Sequence, residues 1–530
     1  MNGSRIGRRD LLVGAAALAG SSRSLPAIAK GSSQVLKFVP QTALSSIDPV
    51  RTSSTVAFNH GYMVWDTLYG IDSTLTPQPQ MCAGSEVSSD GLTWTFTLRD
   101  GLMHHDNQPV RAIDCTTSIA RWAIKDTLGQ RLSELTNEMR PLDDKRFEIR
   151  LKRRFPQILY AFGSRSCFIM PERLAKTPPS DEVKEVIGSG PFRFIASEWD
   201  MATHAAYAKF DKYLPRQEKP DYFSGGKVVH FDRVEWVVEP DRGTAVAALQ
   251  SGEVDWVEAP LIDLLSTIRG TQGCDVALYD RIGALAFISF NHLYPPFDNA
   301  KLLRALLPAI DQKEYVTAWV GEHKELGKYP VGFFPTGTPM ANDAGMEALT
   351  SPRDLNKARQ LVKESGYNGE KIVLIVPTDQ PSVVVLSEMT RDLFTKLGLN
   401  VDYQTMDFGT FVARLSKQNP SELGGWNVFC SAWGGLGPAN PGTSSLLRAN
   451  GKGAWYGWPT DPKLEELRQQ WFDARDLATE KAICEQVQLE AFQSIPFMPV
   501  GQWFYPWGVR KDLADFVQCG SVLFWSVRRV

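Results

Sequence analysis

Two Asp-Gly pairs enclose the segment that most constrains how this chain can fold. Asp90-Gly91 and Asp100-Gly101 are typical turn pairs, and eight residues separate them. Within those residues Trp94, Phe96 and Leu98 alternate with threonines and an arginine. Alternation with a period of two is typical of a strand that buries only one face. The segment therefore predicts a β-strand between two turns, packed against a core on one side.

The surrounding sequence predicts a compact α+β unit. A short strand is expected at residues 35–39 and a helix at 63–70, where apolar residues cluster. Residues 112–125 place Cys, Ile, Trp and Ala side chains on one helical face, and residues 147–152 alternate strictly. With the Asp90 strand, these elements predict an α+β subdomain at about residues 50–186.

A different pattern follows in the second half of the chain. Residues 372–376 form a continuous apolar run, as expected for a strand covered on both faces. A helix bearing apolar residues between Met389 and Leu397 comes next, and a strand at 401–403 follows it. This βαβ arrangement predicts parallel sheet.

Helix boundaries are also readable. Ser351 is the expected N-cap of a helix, with Pro352 at its first position. Gly252 is expected to end a short helix at 245–250 in the left-handed conformation. Apolar spacing predicts further helical segments across residues 462–494.

The first 29 residues are typical of an export signal. Arg8-Arg9 lies in a basic start, Leu11 to Gly20 is a short apolar stretch, and Ala27-Ile28-Ala29 is a small-x-small cleavage site. The paired arginines favour the twin-arginine type, and an ordinary Sec signal is the alternative. We expect a periplasmic protein whose signal is cleaved after Ala29.

Composition narrows the class of protein. A chain of 530 residues is too long for one hydrophobic core, so at least two domains are expected. The signal carries four Arg and one Asp, so without it the net charge of −3 becomes −6, which argues against nucleic acid as a partner. The seven dispersed cysteines favour neither a disulfide scaffold nor a zinc site, although one bridge is compatible with a periplasm. No apolar run approaches the roughly 20 residues of a membrane-spanning helix.

The Asp90 segment resembles the corresponding segment of the family 5 solute-binding proteins of ABC importers, the peptide, nickel and opine type. Five other segments resemble that family in the same order along the chain. They are Ile47-Asp48-Pro49, Gly188-Ser189-Gly190-Pro191-Phe192, Gly252-Glu253-Val254-Asp255, Phe290-Asn291 with Pro295-Pro296-Phe297-Asp298, and Leu303-Arg304-Ala305-Leu306.

The resemblance implies an α/β, two-lobed periplasmic binding protein fold (type II, cluster C-like) with an extra α+β subdomain in lobe I. Lobe I would comprise residues 30–283 plus 500–530, and lobe II residues 284–499. The chain would cross between the lobes near Ile282-Gly283 and Val500-Gly501. Closure of the two lobes over a solute would follow, because contacts made only in the closed state shift that equilibrium.

The same resemblance places ligand-binding residues in both lobes. In lobe II they are Trp433, Gly434, Gly435 and Asn440, in a Gly-rich loop where backbone can approach a ligand and Trp433 offers a stacking face. A surface loop with a core tryptophan is the alternative reading. In lobe I they are Ser54, Thr55 and Asn59, for which turn and helix capping is the alternative.

The Gly-rich loop differs from that of the family's peptide binders, which carry an acid there for the peptide α-amine. Between Trp433 and Leu446 this chain has no Asp or Glu. A buried ammonium without a partner is costly. We therefore expect a small solute that lacks a free α-ammonium, or one anchored by another acid.

His104-His105-Asp106 could suggest a metal site. Adjacent histidines in a strand point to opposite faces, so they cannot easily share one ion. A structural role is expected, and no metal or other cofactor is implied.

The sequence therefore predicts a periplasmic binding protein that delivers a small organic solute to an inner-membrane ABC permease, without catalysis and as a monomer. A ligand-binding sensor or chaperone is one alternative. A periplasmic hydrolase is another, but the G-x-S-x-G, H-E-x-x-H and Walker A motifs are absent from the sequence.

Overall fold

The computed structural model describes residues 34–52, 54–164 and 166–530. The expected export signal, residues 1–29, lies outside these residues. Among the helices described, none combines the length and apolar character needed to cross a membrane.

The sheets combine strands that lie far apart in the sequence. In chain order they are β1 (Val35–Val39), β2 (Tyr69–Ile71), β3 (Pro77–Pro79), β4 (Cys82–Val87), β5 (Thr93–Leu98), β6 (Thr136–Pro141), β7 (Arg146–Leu151), β8 (Phe192–Phe194), β9 (His204–Lys209), β10 (Arg233–Val237), β11 (Trp256–Glu258), β12 (Cys274–Ala277), β13 (Ala284–Phe290), β14 (Gly327–Lys328), β15 (Lys371–Pro377), β16 (Asn400–Met406), β17 (Val428–Gly434), β18 (Met498–Trp503), β19 (Trp507–Arg510), β20 (Leu513–Ala514) and β21 (Arg528–Arg529).

The α-helices cover the sheets and connect them. In chain order they are α1 (Thr55–Val64), α2 (Ala112–Ala123), α3 (Thr127–Leu135), α4 (Ile158–Ser164), α5 (Glu172–Ala175), α6 (Arg242–Ser251), α7 (Leu265–Gly270), α8 (Ala300–Leu306), α9 (Gln312–Val320), α10 (Glu347–Thr350), α11 (Leu355–Glu364), α12 (Pro381–Lys396), α13 (Phe408–Leu415), α14 (Pro462–Asp473) and α15 (Leu477–Ser494).

The first lobe is built on a seven-stranded sheet in the order β12-β19-β11-β1-β10-β9-β8. At its centre β1 pairs in parallel with both β10 and β11. Phe38 of β1 lies between Trp236 and Trp256 in register, and its ring meets theirs edge-on at 5.7 and 5.1 Å. This aromatic cluster forms the core on one face of the sheet.

The second lobe is built on a six-stranded sheet in the order β14-β18-β13-β17-β15-β16. The predicted βαβ unit is confirmed, because β15 and β16 are parallel and α12 joins them. Residues 372–376 of β15 are all buried, as their continuous apolar character predicts. Antiparallel β13 and β18 complete the centre of this sheet.

The predicted strand between the two Asp-Gly turns is β5, inside a four-stranded sheet ordered β4-β5-β7-β6. Phe96 stacks on Phe147 of β7 at 4.9 Å, and Leu98 is buried beside it. Trp94 lies on the same face but is only partly buried. The sheet packs with α2, whose buried face includes Trp122, so the expected α+β subdomain has formed in the first lobe.

Two expected helix boundaries are wrong. The helix expected at 63–70 ends at Val64 as α1, and residues 69–71 form β2, because they pair with β3. The N-cap of α11 is Asp354 rather than Ser351, because the Asp354 carboxylate accepts the Lys357 N–H at 2.8 Å. By contrast, Gly252 ends α6 in the left-handed conformation with φ 81°, as predicted.

The return of the chain from the second sheet to the first lies later than expected. Val500 and Gly501 are inside β18, which pairs with β13 and β14 of the six-stranded sheet. The chain joins the seven-stranded sheet at Trp507, where β19 begins. Residues 504–506 therefore make the return crossing, and the expected boundary between residues 499 and 500 is corrected.

Candidate functional site: the cleft between the two sheets

One edge of the seven-stranded sheet collects the ends of several strands. Glu258 at the carboxyl end of β11 pairs with Trp507, and Ala277 at the carboxyl end of β12 pairs with the same residue. The carboxyl end of β1 lies next to β11 at this edge, since the two strands are parallel. Ligands of open α/β sheets bind outside the carboxyl ends of the strands.

The six-stranded sheet has a corresponding edge. Ala284 at the start of β13 pairs with Gly434 of β17 and with Trp503 of β18. The carboxyl ends of the parallel strands β15 and β16 lie on the same side. Residues 278–283 and 504–506 join this edge to that of the first sheet. We call the region between the two edges the cleft.

The Gly-rich loop after β17 lies directly against the first crossing segment. Gly435 donates its backbone N–H to the Gly283 carbonyl at 2.6 Å. A Cβ atom at Gly435 would lie 2.1 Å from Ile282 Cγ2, so only glycine allows this approach. Gly434 is exposed, and a Cβ atom there would contact nothing within 4 Å.

Trp433 forms part of an aromatic group at the edge of the second sheet. Its ring meets Trp455 edge-on at 4.4 Å and Phe287 at 5.8 Å. The side chain is only partly buried, and it packs on the core of its lobe. A tryptophan held in this way has both a packing role and an accessible surface for stacking.

Asn440 connects the two lobes. Its Oδ1 accepts the N–H groups of Gly442 and Thr443 at 2.9 and 3.0 Å, and its Nδ2 donates to the Tyr160 hydroxyl at 3.0 Å. Tyr160 belongs to α4 of the first lobe. The side chain is therefore occupied by contacts within the protein, and a contact with solute stays a prediction.

Ser54, Thr55 and Asn59 lie at and near the start of α1. Ser54 is the N-cap residue and Thr55 the first helical residue, and both are partly exposed. Asn59 is buried and its Oδ1 accepts the Val522 N–H at 3.2 Å, whereas its Nδ2 has no hydrogen-bond partner among the described residues. These three residues belong to the first lobe, whereas the four in the Gly-rich loop belong to the second.

Two acids near this edge were missed by the sequence analysis. Burial raises the pKa of Glu258 to about 7, although the Gln41 N–H donates to its Oε2 at 2.8 Å. Burial also raises the pKa of Asp280, which lies in the first crossing segment. Glu258 could have been found in the sequence as an acid directly after the apolar pair Trp256-Val257. For Asp280 the sequence offers only its position beside the expected crossing at Ile282-Gly283.

The two adjacent histidines have separate partners. His104 Nε2 lies 3.4 Å from Asp114 Oδ2. His105 accepts the Gly188 N–H at Nδ1 (3.2 Å) and donates from Nε2 to the Gly190 carbonyl (3.0 Å), and burial lowers its pKa to about 4. In the described residues no group of three or more His, Cys, Asp or Glu side chains could hold a metal ion. All seven cysteines are buried with free thiols.

Comparison with known proteins decides the family. The model of the bacterial extracellular solute-binding proteins, family 5 (middle region), matches residues 76–455. The chain belongs to this family. A probable peptide ABC transporter periplasmic-binding protein of Sinorhizobium fredii, y4tO, is 35% identical over 99% of both chains. Heme-binding protein A of Haemophilus influenzae is 25% identical, over 80% of this chain and 78% of its own.

Solved structures show the same two-lobed fold. A dipeptide-binding protein of Pseudoalteromonas sp. SM9913 in complex with Met-Leu has a TM-score of 0.79 at 18% identity, covering 94% of this chain and 100% of its own. The binding protein AgaA of A. tumefaciens R10 in complex with agropinic acid has a TM-score of 0.77 at 20% identity, covering 94% and 99%. Family 5 proteins are the solute-binding components of ABC importers, and the chain has their architecture.

Proposed function

We propose that this family 5 protein captures a small organic solute in the cleft between its lobes and delivers it to an inner-membrane ABC permease. The observation that carries the proposal is the pair of facing sheet edges joined by residues 278–283 and 504–506. Two short connections allow the lobes to swing about them, and a solute that contacts both lobes favours the closed form.

The proposal includes where the protein works and in what form. Residues 1–29 act as an export signal, by preference of the twin-arginine type, cleaved after Ala29. The mature periplasmic protein consists of lobe I, residues 30–283 plus the chain from 504 onward, and lobe II, residues 284–503. It is a monomer, it has no catalytic group, and it binds solute through some of Ser54, Thr55, Asn59, Trp433, Gly434, Gly435 and Asn440.

Native mass spectrometry of gently purified mature protein tests this function. We expect a monomer that carries one small solute, and we expect the released compound to rebind and raise the melting temperature. Recovery of the compound with unchanged mass after long incubation agrees with binding without catalysis. Protein that retains no compound, and that no metabolite stabilises, contradicts the proposal.

A further inference from the structure

Asp280 occupies an unusual place for a carboxylate. It lies in the segment that joins the two lobes, and its Oδ1 accepts the Ile282 N–H at 2.9 Å. Its Oδ2 faces the backbone of Gly520, and a Cβ atom added to Gly520 would lie 2.9 Å from that oxygen. Among the residues that the structure describes, no hydrogen-bond donor contacts Oδ2. Oδ1 thus stabilises the turn of the crossing segment, and Oδ2 is available for a hydrogen bond with a solute.

Asp280 forms no ion pair within the part of the chain that the structure describes. Within the described ranges, no Lys, Arg or His nitrogen lies within 4.0 Å of Asp280. The adjacent Arg281 is engaged elsewhere, because its Nε donates to Gln518 Oε1 at 2.8 Å. Asp280 is only partly buried, and even partial burial of a carboxylate without a counter-charge costs free energy.

Glu258, the buried acid near this edge, differs in this respect. The positive charge of Arg242 acts on it, and the Gln41 N–H donates to its Oε2 at 2.8 Å. Arg242 thus supplies the positive charge near Glu258 that Asp280 lacks. Asp280 is therefore the better candidate for a contact with solute.

Tyr222 supplies a second unpaired polar group next to Asp280. Its side chain is 3% exposed, and its hydroxyl has no hydrogen-bond partner among the described residues. Its φ of 58° is an unusual conformation for an aromatic residue, of the kind found at functional sites. Burial raises its pKa, and the negative charge of Asp280 raises it further.

The second lobe places an uncharged loop against the first lobe. Tyr160 is held by Asn440 of the Gly-rich loop, and Leu436 of that loop packs against the core of the first lobe. From Trp433 to Leu446 the loop contains no Asp, Glu, Lys or Arg. This loop thus brings neither an acid nor a cation to this part of the first lobe.

We propose that Asp280 anchors a cationic group of the solute, an ammonium or a guanidinium, with the Tyr222 hydroxyl as an additional hydrogen-bonding partner. This inference rests on the proposed function and names its solute class. A positively charged nitrogen at Asp280 Oδ2 would provide the missing counter-charge and form a charge-assisted hydrogen bond. Because the crossing segment connects the lobes, this contact would also act on the hinge.

Calorimetric titration with matched pairs of compounds tests the proposal. Each pair shares a shape but differs in the cation: dipeptides and their N-acetyl derivatives, diamines and the corresponding diols, arginine and citrulline. Wild type is compared with Asp280→Asn, which keeps the oxygen that bonds Ile282, and with Tyr222→Phe. Asp275→Asn is the matched control, because Asp275 is an exposed carboxylate on the adjoining β12.

We expect wild type to bind only the cationic member of a pair. Asp280→Asn should weaken that binding by about 10- to 100-fold, Tyr222→Phe by about 3- to 10-fold, and Asp275→Asn should have no effect. Tight binding of a neutral or anionic compound, unchanged in Asp280→Asn, overturns this inference and leaves the proposed function intact. Failure of wild type to bind any compound contradicts both.

Discussion

At the scale of single residues, the buried pair Asp48–Arg121 explains the Ile47-Asp48-Pro49 motif. Arg121 Nη1 and Nη2 donate to Asp48 Oδ1 and Oδ2 at 3.0 and 2.6 Å, and both side chains are almost completely buried. The Val50 and Val183 N–H groups donate to the same carboxylate. The pair therefore ties the start of the chain to α2 and to the segment that follows α5.

Asp48→Asn should lower the free energy of unfolding by about 3–5 kcal/mol, because it leaves the Arg121 guanidinium buried without its counter-charge. The midpoint of urea unfolding measures the effect. Asp100→Asn is the control, since that carboxylate is exposed and pairs with Lys145 at the surface. Equal midpoints for the two variants would show that the buried pair contributes no more than a surface pair.

Glu258 gives the folded protein a dependence on pH. Its pKa is about 7 in the folded state against 4.5 for the free group. As the pH rises from 4.5 to 7, the unfolded chain loses this proton first, so stability falls over that interval. Glu258→Gln lacks this loss and should gain about 3 kcal/mol relative to wild type between pH 4.5 and pH 8.

Urea unfolding at pH 4.5, 6 and 8 measures that gain. The exposed Glu253 provides the matched variant, Glu253→Gln, which should follow wild type at each pH. A difference between Glu258→Gln and wild type that stays constant across the three pH values would contradict the burial of an ionisable Glu258.

At the scale of elements, the sequence predicts the strands and helix ends whose residue pattern directly reflects which side chains are buried or which backbone conformation is needed. The one-sided alternation of β5, the fully apolar β15 and the left-handed Gly252 are each visible in the residues. The two expectations that were wrong, the helix at 63–70 and the N-cap at Ser351, depended on contacts that the local pattern does not show. Residues 69–71 form a strand because β3 is available to pair with them. Asp354 rather than Ser351 is the N-cap because its carboxylate accepts the otherwise free Lys357 N–H.

The Gly-rich loop offers a matched pair of substitutions. Gly435→Ala would place its Cβ against Ile282 and the Gly283 carbonyl, so the loop would move off the crossing segment. We expect solute affinity to fall by about 10-fold or more, a loss typical of misplaced binding groups. Gly434→Ala has free space around it and should bind like wild type.

Calorimetry with the solute recovered by mass spectrometry compares these two glycine variants. Equal affinities would show that the close approach of Gly435 to the crossing segment plays no part in binding.

At the scale of the whole molecule, polar and apolar contacts join the lobes outside the cleft. Arg153 contacts Asp473 at 3.0 Å, Arg131 contacts Gln469 at 2.6 Å, and Gln157 donates to Glu480 at 3.1 Å. The exposed Arg153–Asp473 pair contributes little stability, whereas Phe155 and Phe472, whose ring centroids lie 6.3 Å apart, are both buried. A solute in the cleft adds further contacts between the lobes and so favours the closed form.

The division into two lobes could be predicted from family resemblance, but the residues of the cleft only in part. The Gly-rich loop was identifiable by its glycines, whereas Asp280 and Tyr222 meet only through folding, from positions 58 residues apart. Their significance comes from burial and from missing partners, and neither property is visible in one sequence. Asn440 could be identified as part of the loop, but in the folded protein its Nδ2 donates to the Tyr160 hydroxyl.

Small-angle X-ray scattering of the mature protein, with and without the recovered solute, tests the hinged binding of solute most directly. Saturation with the solute should reduce the radius of gyration, and Asp280→Asn should require more solute for the same change. A radius of gyration that stays constant when calorimetry shows full occupancy would contradict closure of two lobes about the segments 278–283 and 504–506.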